Sequence, residues 1–309
     1  MRILIELPTW LGDCVMTTPA IEGIVDLRPD VEITVLGSAV SVDVMLPHPN
    51  IVSGAVLDKS YLTLNRTAKS LGEFDLFLSF RSSRRSSILK FFVLAEQKYQ
   101  FDKKKYQLGH QVEKYAKFVG DSLEIDLLPG LLKLYTRNVD KGNKLRLGIN
   151  PGASYGSAKR WYPEEFVKVA NQLSDRYDVM IFGGPGEQCM AVDIEKGLTQ
   201  HGVQNYQNLA GKTSISELVS QIASLDLFIT GDSGPMHVAA AFQVPTVAIF
   251  GPTKDKETSQ WMNKRSAIVK KHLDCQPCMK RVCPLKHHDC MRLIKAEEVL
   301  EVASNILLD

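Results

Sequence analysis

The sequence predicts an α/β protein made of two doubly wound parallel sheets. Short apolar runs, of the kind buried on both faces of a parallel sheet, alternate with stretches at helical spacing. The loops after those runs are rich in glycine, proline and hydroxyl residues, and the alternation repeats as βαβ units do. One polar interval without apolar periodicity, Asn138–Lys144, interrupts the alternation and places a linker there. The expected division is therefore residues 1–140 and 141–309. A chain of 309 residues, 44% of them hydrophobic, can fill two cores of ordinary size.

In the first half, Arg2–Leu7 is a strand, Pro8-Thr9-Trp10-Leu11-Gly12-Asp13 its loop, and Cys14–Leu27 has helical spacing. Open α/β sheets bind ligands at strand carboxyl ends, so this loop is a place for chemistry. It lacks G-x-G-x-x-G, which argues against a dinucleotide dehydrogenase. Asp13 reads either as a helix cap or as a catalytic carboxylate. Val31–Leu36, Val52–Leu57 and Phe74–Phe80 are further strands, with helices at Ser41–Leu46 and Tyr61–Leu71. Arg81, Arg84 and Arg85 then stand among serines. Eight Lys or Arg fall from Arg81 to Lys105, against two acids, Glu96 and Asp102. Such a run is either a solvated face or an anion site, because guanidinium forks match carboxylate and phosphate.

Leu145–Asn150 opens the second half and leads into Pro151–Trp161, a loop of small and hydroxyl residues that includes Ser154 and one lysine, Lys159. It is not a Walker A loop, and it reads either as a diphosphate wrap or as a surface loop with a stray lysine. Tyr177–Phe182 is a strand, and Gly183–Glu187 its glycine-rich loop. Glu187 suits ribose hydroxyls or the first turn of a helix. Asn208–Thr213 precedes a helix at Ile215–Ser224. Leu225–Thr230, Gly231–Gly234, Pro235–Phe242 and Val244–Phe250 read as strand, turn, helix, strand. Asp232 or Ser233 can cap that helix, whose open N–H groups suit a phosphate; an ordinary capped βαβ unit is the alternative. Lys295–Leu308 is a closing amphipathic helix.

Cys275, Cys278, Cys283 and Cys290 form C-x₂-C-x₄-C-x₆-C, with His287 and His288 between the last two. Zinc, reduced structural thiols and a disulfide all remain open, the second pair being wider than a zinc ribbon uses. No apolar run has the length of a bilayer span, and MRILIELP enters a strand without a signal-peptide cleavage site. Cysteines without a secretory signal point to reduced thiols in a cytoplasm. A net charge of +2 does not argue for nucleic acid. There is no D-x-D, a carboxylate pair that can hold Mg²⁺ or Mn²⁺.

The string GDSGPMHVAAAFQVPTVAIFGPT closely resembles the nucleotide-sugar-binding stretch of the ADP-heptose lipopolysaccharide heptosyltransferases, D-[ST]-G-x-x-H-x-x-A-A followed by a strand and G-P-[TS]. Asp232, Ser233, Gly234, His237, Ala240 and Ala241 fill its positions. LPTWLGDCVMTTPAI resembles the opening of that family, and Pro151–Trp161 its P-G-…-K-R-W stretch, with Tyr162 standing where many members pass directly to proline. LFLSFRSSRRSSILKFF, HQVEKYAKFV and NLAGKT resemble further family segments, and CQPCMKRVCPLKHHDCM resembles a segment of the heptosyltransferase II branch.

The resemblance implies a GT-B fold, two Rossmann-like halves facing across a cleft, with acceptor in the first and ADP-heptose in the second. It implies Asp13 as general base. Lys159, the Asp232–Gly234 backbone and the Ser233 hydroxyl would hold the diphosphate, with His237 and Ser154 beside them, Glu187 on the ribose and Thr213 near the adenine. Trp10, Arg81, Arg84 and Arg85 fall on the acceptor side. It implies no cofactor and no catalytic metal. The partners would be ADP-heptose and the lipopolysaccharide inner core, met at the cytoplasmic face of the inner membrane by peripheral contact. Heptosyltransferase I or III activity, another GT-B nucleotide-sugar enzyme and a zinc-stapled interaction protein are the alternatives.

Overall fold

The computed structural model describes residues 1–58, 60–136 and 139–308. Asn138, the first residue of the expected linker, lies outside the described residues. The chain divides into two compact units, Met1–Arg137 and Asn138–Asp309.

The first unit runs β1 (Arg2–Glu6), α1 (Leu11–Val15), α2 (Thr18–Leu27), β2 (Glu32–Gly37), α3 (Ala39–Met45), β3 (Ile51–Val56), α4 (Leu64–Ser70), β4 (Glu73–Ser79), α5 (Arg84–Phe92), β5 (Leu94–Gln100) and α6 (Gln111–Leu123). Its five strands are parallel in the order β3-β2-β1-β4-β5. Ile3, Leu4 and Ile5 of the central β1 are fully buried, as a strand covered on both faces requires. After β3 the chain crosses to the other side of β1, so the winding reverses between β1 and β4. Ligands of doubly wound sheets sit at that switch point.

The second unit runs β6 (Leu145–Asn150), α7 (Pro163–Leu173), β7 (Tyr177–Ile181), α8 (Gln188–Gln200), β8 (Tyr206–Asn208), α9 (Ile215–Ala223), β9 (Leu227–Gly231), α10 (Gly234–Ala241), β10 (Thr246–Phe250), α11 (Asp255–Thr258), β11 (Ser266–Lys270), α12 (Asp289–Arg292) and α13 (Ala296–Leu308). Its strands are parallel in the order β11-β10-β9-β6-β7-β8, so its winding reverses between β6 and β9. Trp161 and Phe166 pack edge to face at 4.8 Å in a core shared with Ile149, Ile229 and Val299.

The single helix expected at Cys14–Leu27 is instead two, α1 and α2. The hydroxyls of Thr17 and Thr18 turn back onto the carbonyls of Cys14 and Val15 at 2.7 and 2.8 Å, and Pro19 has no N–H with which to continue a helix. Asp13 therefore stands inside the first turn of α1 rather than in the loop before it.

At the far end of the first unit, Glu22 of α2 gathers three donors. His48 accepts the Asn50 N–H on Nδ1 and so carries its proton on Nε2, which donates to Glu22 at 3.0 Å. Lys133 Nζ and the Tyr135 hydroxyl donate at 2.8 and 3.1 Å, pinning the segment around residues 133–135. Burial pushes the Glu22 carboxyl up, but the hydrogen bonds from His48 and Lys133 outweigh it and bring the pKa to about 2. A carboxylate held below its unfolded value contributes stability that is present above the unfolded pKa, about 4.3, and is lost as pH falls toward the folded one. Thermal melts of the wild-type protein and Glu22→Gln are thus expected to differ at pH 6, with the wild type more stable, and to converge toward pH 2. A constant difference across that range would contradict this.

Candidate functional site

In the second unit, the loops after β6 and β9 flank the switch point. Asn150 ends β6 and lies in register with Thr230 of β9. Its amide donates to the hydroxyls of Thr230 at 3.3 Å and Ser233 at 3.1 Å, tying the two loops together. Lys159 ends a short 3₁₀ turn, Ser157–Lys159. Its ammonium lies 2.5 Å from Asp232 Oδ2 and donates to the Asp232 carbonyl at 3.2 Å. The same Oδ2 accepts the Thr253 hydroxyl at 2.6 Å. The Tyr155 ring stands 4.9 Å from the ammonium. A carboxylate so placed repels a phosphate but holds a lysine, so Asp232 acts here on Lys159. An ammonium has three donors, and the two directed at Asp232 leave a third.

The expected side-chain cap on α10 is corrected. Ser233 occupies the N-cap position without a side-chain cap hydrogen bond, because its hydroxyl is bonded to Asn150 and Thr230 instead. Asp232 is likewise engaged with Lys159 and Thr253. The helix begins at Gly234, one residue before the expected Pro235, and its first turn carries no side-chain cap. His237 is buried in its second turn.

Glu187 is buried, and its Oε2 accepts the Gly184 N–H at 2.7 Å. It lies against Gly152, where any Cβ would overlap the Glu187 carboxyl. Gly152 therefore lets the loop after β6 approach the loop after β7. Gly183 O accepts the Gly211 N–H at 2.8 Å, which brings in the turn before α9. Thr213 is half-buried there, and it is Ser214, with Glu217, that caps α9. Ser154 is exposed on the loop after β6. Lys159, Asp232, Ser233 and Gly234 thus come together, with Glu187 and Thr213 on the next loops along the sheet. Asn150 was missed by motif reading, and Thr253 was matched in the G-P-[TS] turn without a role; a polar residue ending an apolar strand was the available signal for Asn150.

In the first unit, Trp10 follows β1 at the N-cap of α1 and is 57% exposed, an unusual position for an indole. Asp13 follows in the first turn. Burial, and next the charge of Asp13, hold the Tyr115 hydroxyl of α6 well above its ordinary pKa. Lys114 beside it is buried and not without a partner. Glu6, ending β1, is in register with Ser79 of β4. It accepts the hydroxyls of Ser79 at 2.6 Å and Ser86 at 2.9 Å and faces Arg81 at 3.6 Å. Burial still leaves its pKa raised, although Ser79, Arg81 and Ser86 oppose the rise.

Arg81 is therefore paired within the protein. Arg85 donates to the carbonyls of Asp58 and Ser60, and its guanidinium lies 5.9 Å over the Tyr61 ring. Arg84, at the first position of α5, is exposed. The arginines brought together in sequence are thus separated in employment.

The cysteine segment packs against the loop that carries Lys159. Tyr155 donates its hydroxyl to Met279 O at 2.7 Å, and Ala158 its N–H to Arg281 O at 3.0 Å. His288 Nε2 donates to Ala158 O at 2.9 Å while its Nδ1 accepts the Tyr162 hydroxyl at 3.1 Å. Cys275, Cys278, Cys283 and Cys290 are free thiols. Among the described residues no group of three or more His, Cys, Asp or Glu side chains is placed so that it could hold a metal ion.

The family profile of glycosyltransferase family 9 (heptosyltransferase) matches residues 65–288. The lipooligosaccharide heptosyltransferase 2 of Campylobacter jejuni is 44% identical over 318 aligned positions, covering 99% of this chain and 98% of that one. Two solved structures share the fold: a family 9 glycosyl transferase from Veillonella parvula (TM-score 0.83, 23% identity, 99% and 97% of the two chains) and the ADP-heptose heptosyltransferase II of Escherichia coli (TM-score 0.83, 23% identity, 100% and 99%). The two parallel-sheet units are those of a GT-B-like heptosyltransferase fold, and the chain belongs to glycosyltransferase family 9, the heptosyltransferases.

Proposed function

We propose that this chain moves a heptose from ADP-heptose to the heptose/Kdo inner core of lipopolysaccharide, in one inverting displacement without a catalytic metal. The observation that carries this reading is the Lys159–Asp232 pair beside α10 at the switch point of the second sheet. A cation held by a buried carboxylate, next to a helix start with no side-chain cap, suits a leaving diphosphate. The full-length relative in Campylobacter jejuni carries the matching name.

In this mechanism Asp13 takes the proton from an acceptor hydroxyl as that oxygen bonds to the anomeric carbon. The bond from that carbon to the diphosphate oxygen breaks, and its electron pair leaves with ADP. Lys159 and the first turn of α10 offset the charge that develops there. Asp232 is a positioning residue, acting through Lys159. Glu187 takes the ribose, Ser154 and His237 line the donor site, and Thr213 borders the adenine. On the acceptor side Trp10 offers an apolar face to a sugar ring. Arg84 is the arginine left to grip a Kdo carboxylate or a phosphate. The acceptor is lipid-anchored, so the chain works at the cytoplasmic face of the inner membrane by peripheral contact; no described helix is long and apolar enough to cross it.

Arg84→Ala is expected to raise the acceptor KM about tenfold or more, since a charge-assisted hydrogen bond contributes about 1.5–3 kcal/mol. ADP affinity should not move. An unchanged KM would make Arg84 a solvated face. Arg85→Ala, by contrast, should act on stability through Asp58, Ser60 and Tyr61.

The reading is tested by mass spectrometry after mixing the chain with ADP-heptose and a truncated-core acceptor during brief EDTA exposure, with circular dichroism recorded alongside. The acceptor should gain one heptose while the fold persists. No heptosyl product, or product restored only by Mg²⁺ with the fold intact, would contradict it.

A further inference from the structure

We propose that Cys275, Cys278, Cys283 and Cys290 together hold one thiophilic divalent cation of the zinc class. All four line a single cavity of about 20 Å³, the size of one atom-scale guest. Residues 271–288 contain no helix or strand, so neither a hydrogen-bond ladder nor a helix fixes the backbone that carries the first three thiols. The apolar side chains of this stretch do not fix it either. Met279, Val282 and Leu285 are 45%, 68% and 58% exposed, while the four cysteines line the cavity. So little apolar burial leaves the segment without a core of its own, and a cation supplies what the missing core does not.

Four thiolates complete a tetrahedral shell, the coordination that zinc takes in structural sites. His288 is excluded as a ligand because both ring nitrogens are already bonded, to Ala158 O and the Tyr162 hydroxyl. His287 lends Nδ1 to the Asp289 N–H. As they stand among the described residues, no three of these side chains are placed so that they could hold a metal ion. Binding therefore requires the thiols to turn toward one another about χ1, each losing its proton to solvent. A cation with four thiolates keeps two negative charges, and Lys280, Arg281 and Lys286 lie within the same segment to offset them.

The bound ion would also brace the loop after β6. The carbonyls that receive Tyr155 OH and Ala158 N–H belong to Met279 and Arg281, between Cys278 and Cys283. Gly156 lies so close to the Arg281 carbonyl that no Cβ fits there. Lys159 follows at once, so this consequence rests on the proposed donor site, whereas metal occupancy does not.

The test is elemental analysis of the full chain purified without chelator or metal-affinity resin, together with Co²⁺ replacement. About one zinc or iron per chain is expected, with a thiolate-to-cobalt charge-transfer band in the near ultraviolet and both lost in Cys278→Ser/Cys283→Ser. Wild-type metal content below about a tenth of an equivalent, after Zn²⁺ loading and desalting, would overturn the proposal. So would full metal content in the double variant, or a disulfide among these cysteines by peptide mass. If the double variant does not fold, the wild-type occupancy and cobalt band still decide. Neither readout depends on heptose transfer, so failure of the metal site and failure of the proposed activity remain distinct.

Discussion

Asp13→Asn is expected to lower kcat by about 10²-fold or more, the usual contribution of a general base, with ADP affinity nearly unchanged. The substitution keeps size and shape, so the first turn of α1 should persist. Position supports the role: Asp13 follows β1 at the switch point of the first sheet, three residues after the exposed Trp10. The split between kcat and ADP binding is the diagnostic, because a residue that only caps a helix would change stability and leave turnover per folded molecule alone. Near-wild-type kcat in Asp13→Asn would remove it from proton transfer.

Lys159→Ala should have the second large effect, raising the ADP dissociation constant tenfold or more and lowering kcat as well. One charge-assisted hydrogen bond accounts for about 1.5–3 kcal/mol, and each 1.4 kcal/mol is a factor of about ten. The loss should exceed that of one hydrogen bond, because Asp232 would then present an uncompensated carboxylate to the diphosphate. Removing that charge too should restore part of the affinity. Lys159→Ala/Asp232→Asn is thus expected to bind ADP more tightly than Lys159→Ala alone, a coupling that only neighbours show. Strictly additive losses would mean that the 2.5 Å pair does not act as a unit.

The inner strands were legible because each is an apolar run buried on both faces, as β1, β4, β6, β9 and β10 are. The strands not foreseen, β5, β8 and β11, all lie at sheet edges. β5 is LAEQKYQ, with no fully buried side chain, so no apolar pattern marks it. The helix break between α1 and α2 was written in Thr17, Thr18 and Pro19, but the apolar spacing runs straight across it.

The loops of the site were legible as loops, whereas the pairings within them were not. Lys159 and Asp232 are 73 residues apart in sequence and meet only because β6 and β9 are neighbours. Glu6 and Ser79, also 73 apart, meet because β1 and β4 are. Residue type alone likewise made Ser233 a cap, and a partner across the sheet, Asn150, claimed its hydroxyl.

Calorimetric titration of the chain with ADP in EDTA tests the central claim most directly, that the switch point of the second sheet binds a nucleoside diphosphate through Lys159 and without a catalytic metal. The account predicts saturable binding to the wild type in EDTA, equal binding to Asp13→Asn, and binding at least about tenfold weaker to Lys159→Ala. Binding that requires added Mg²⁺, or that is equally tight in Lys159→Ala, would contradict it.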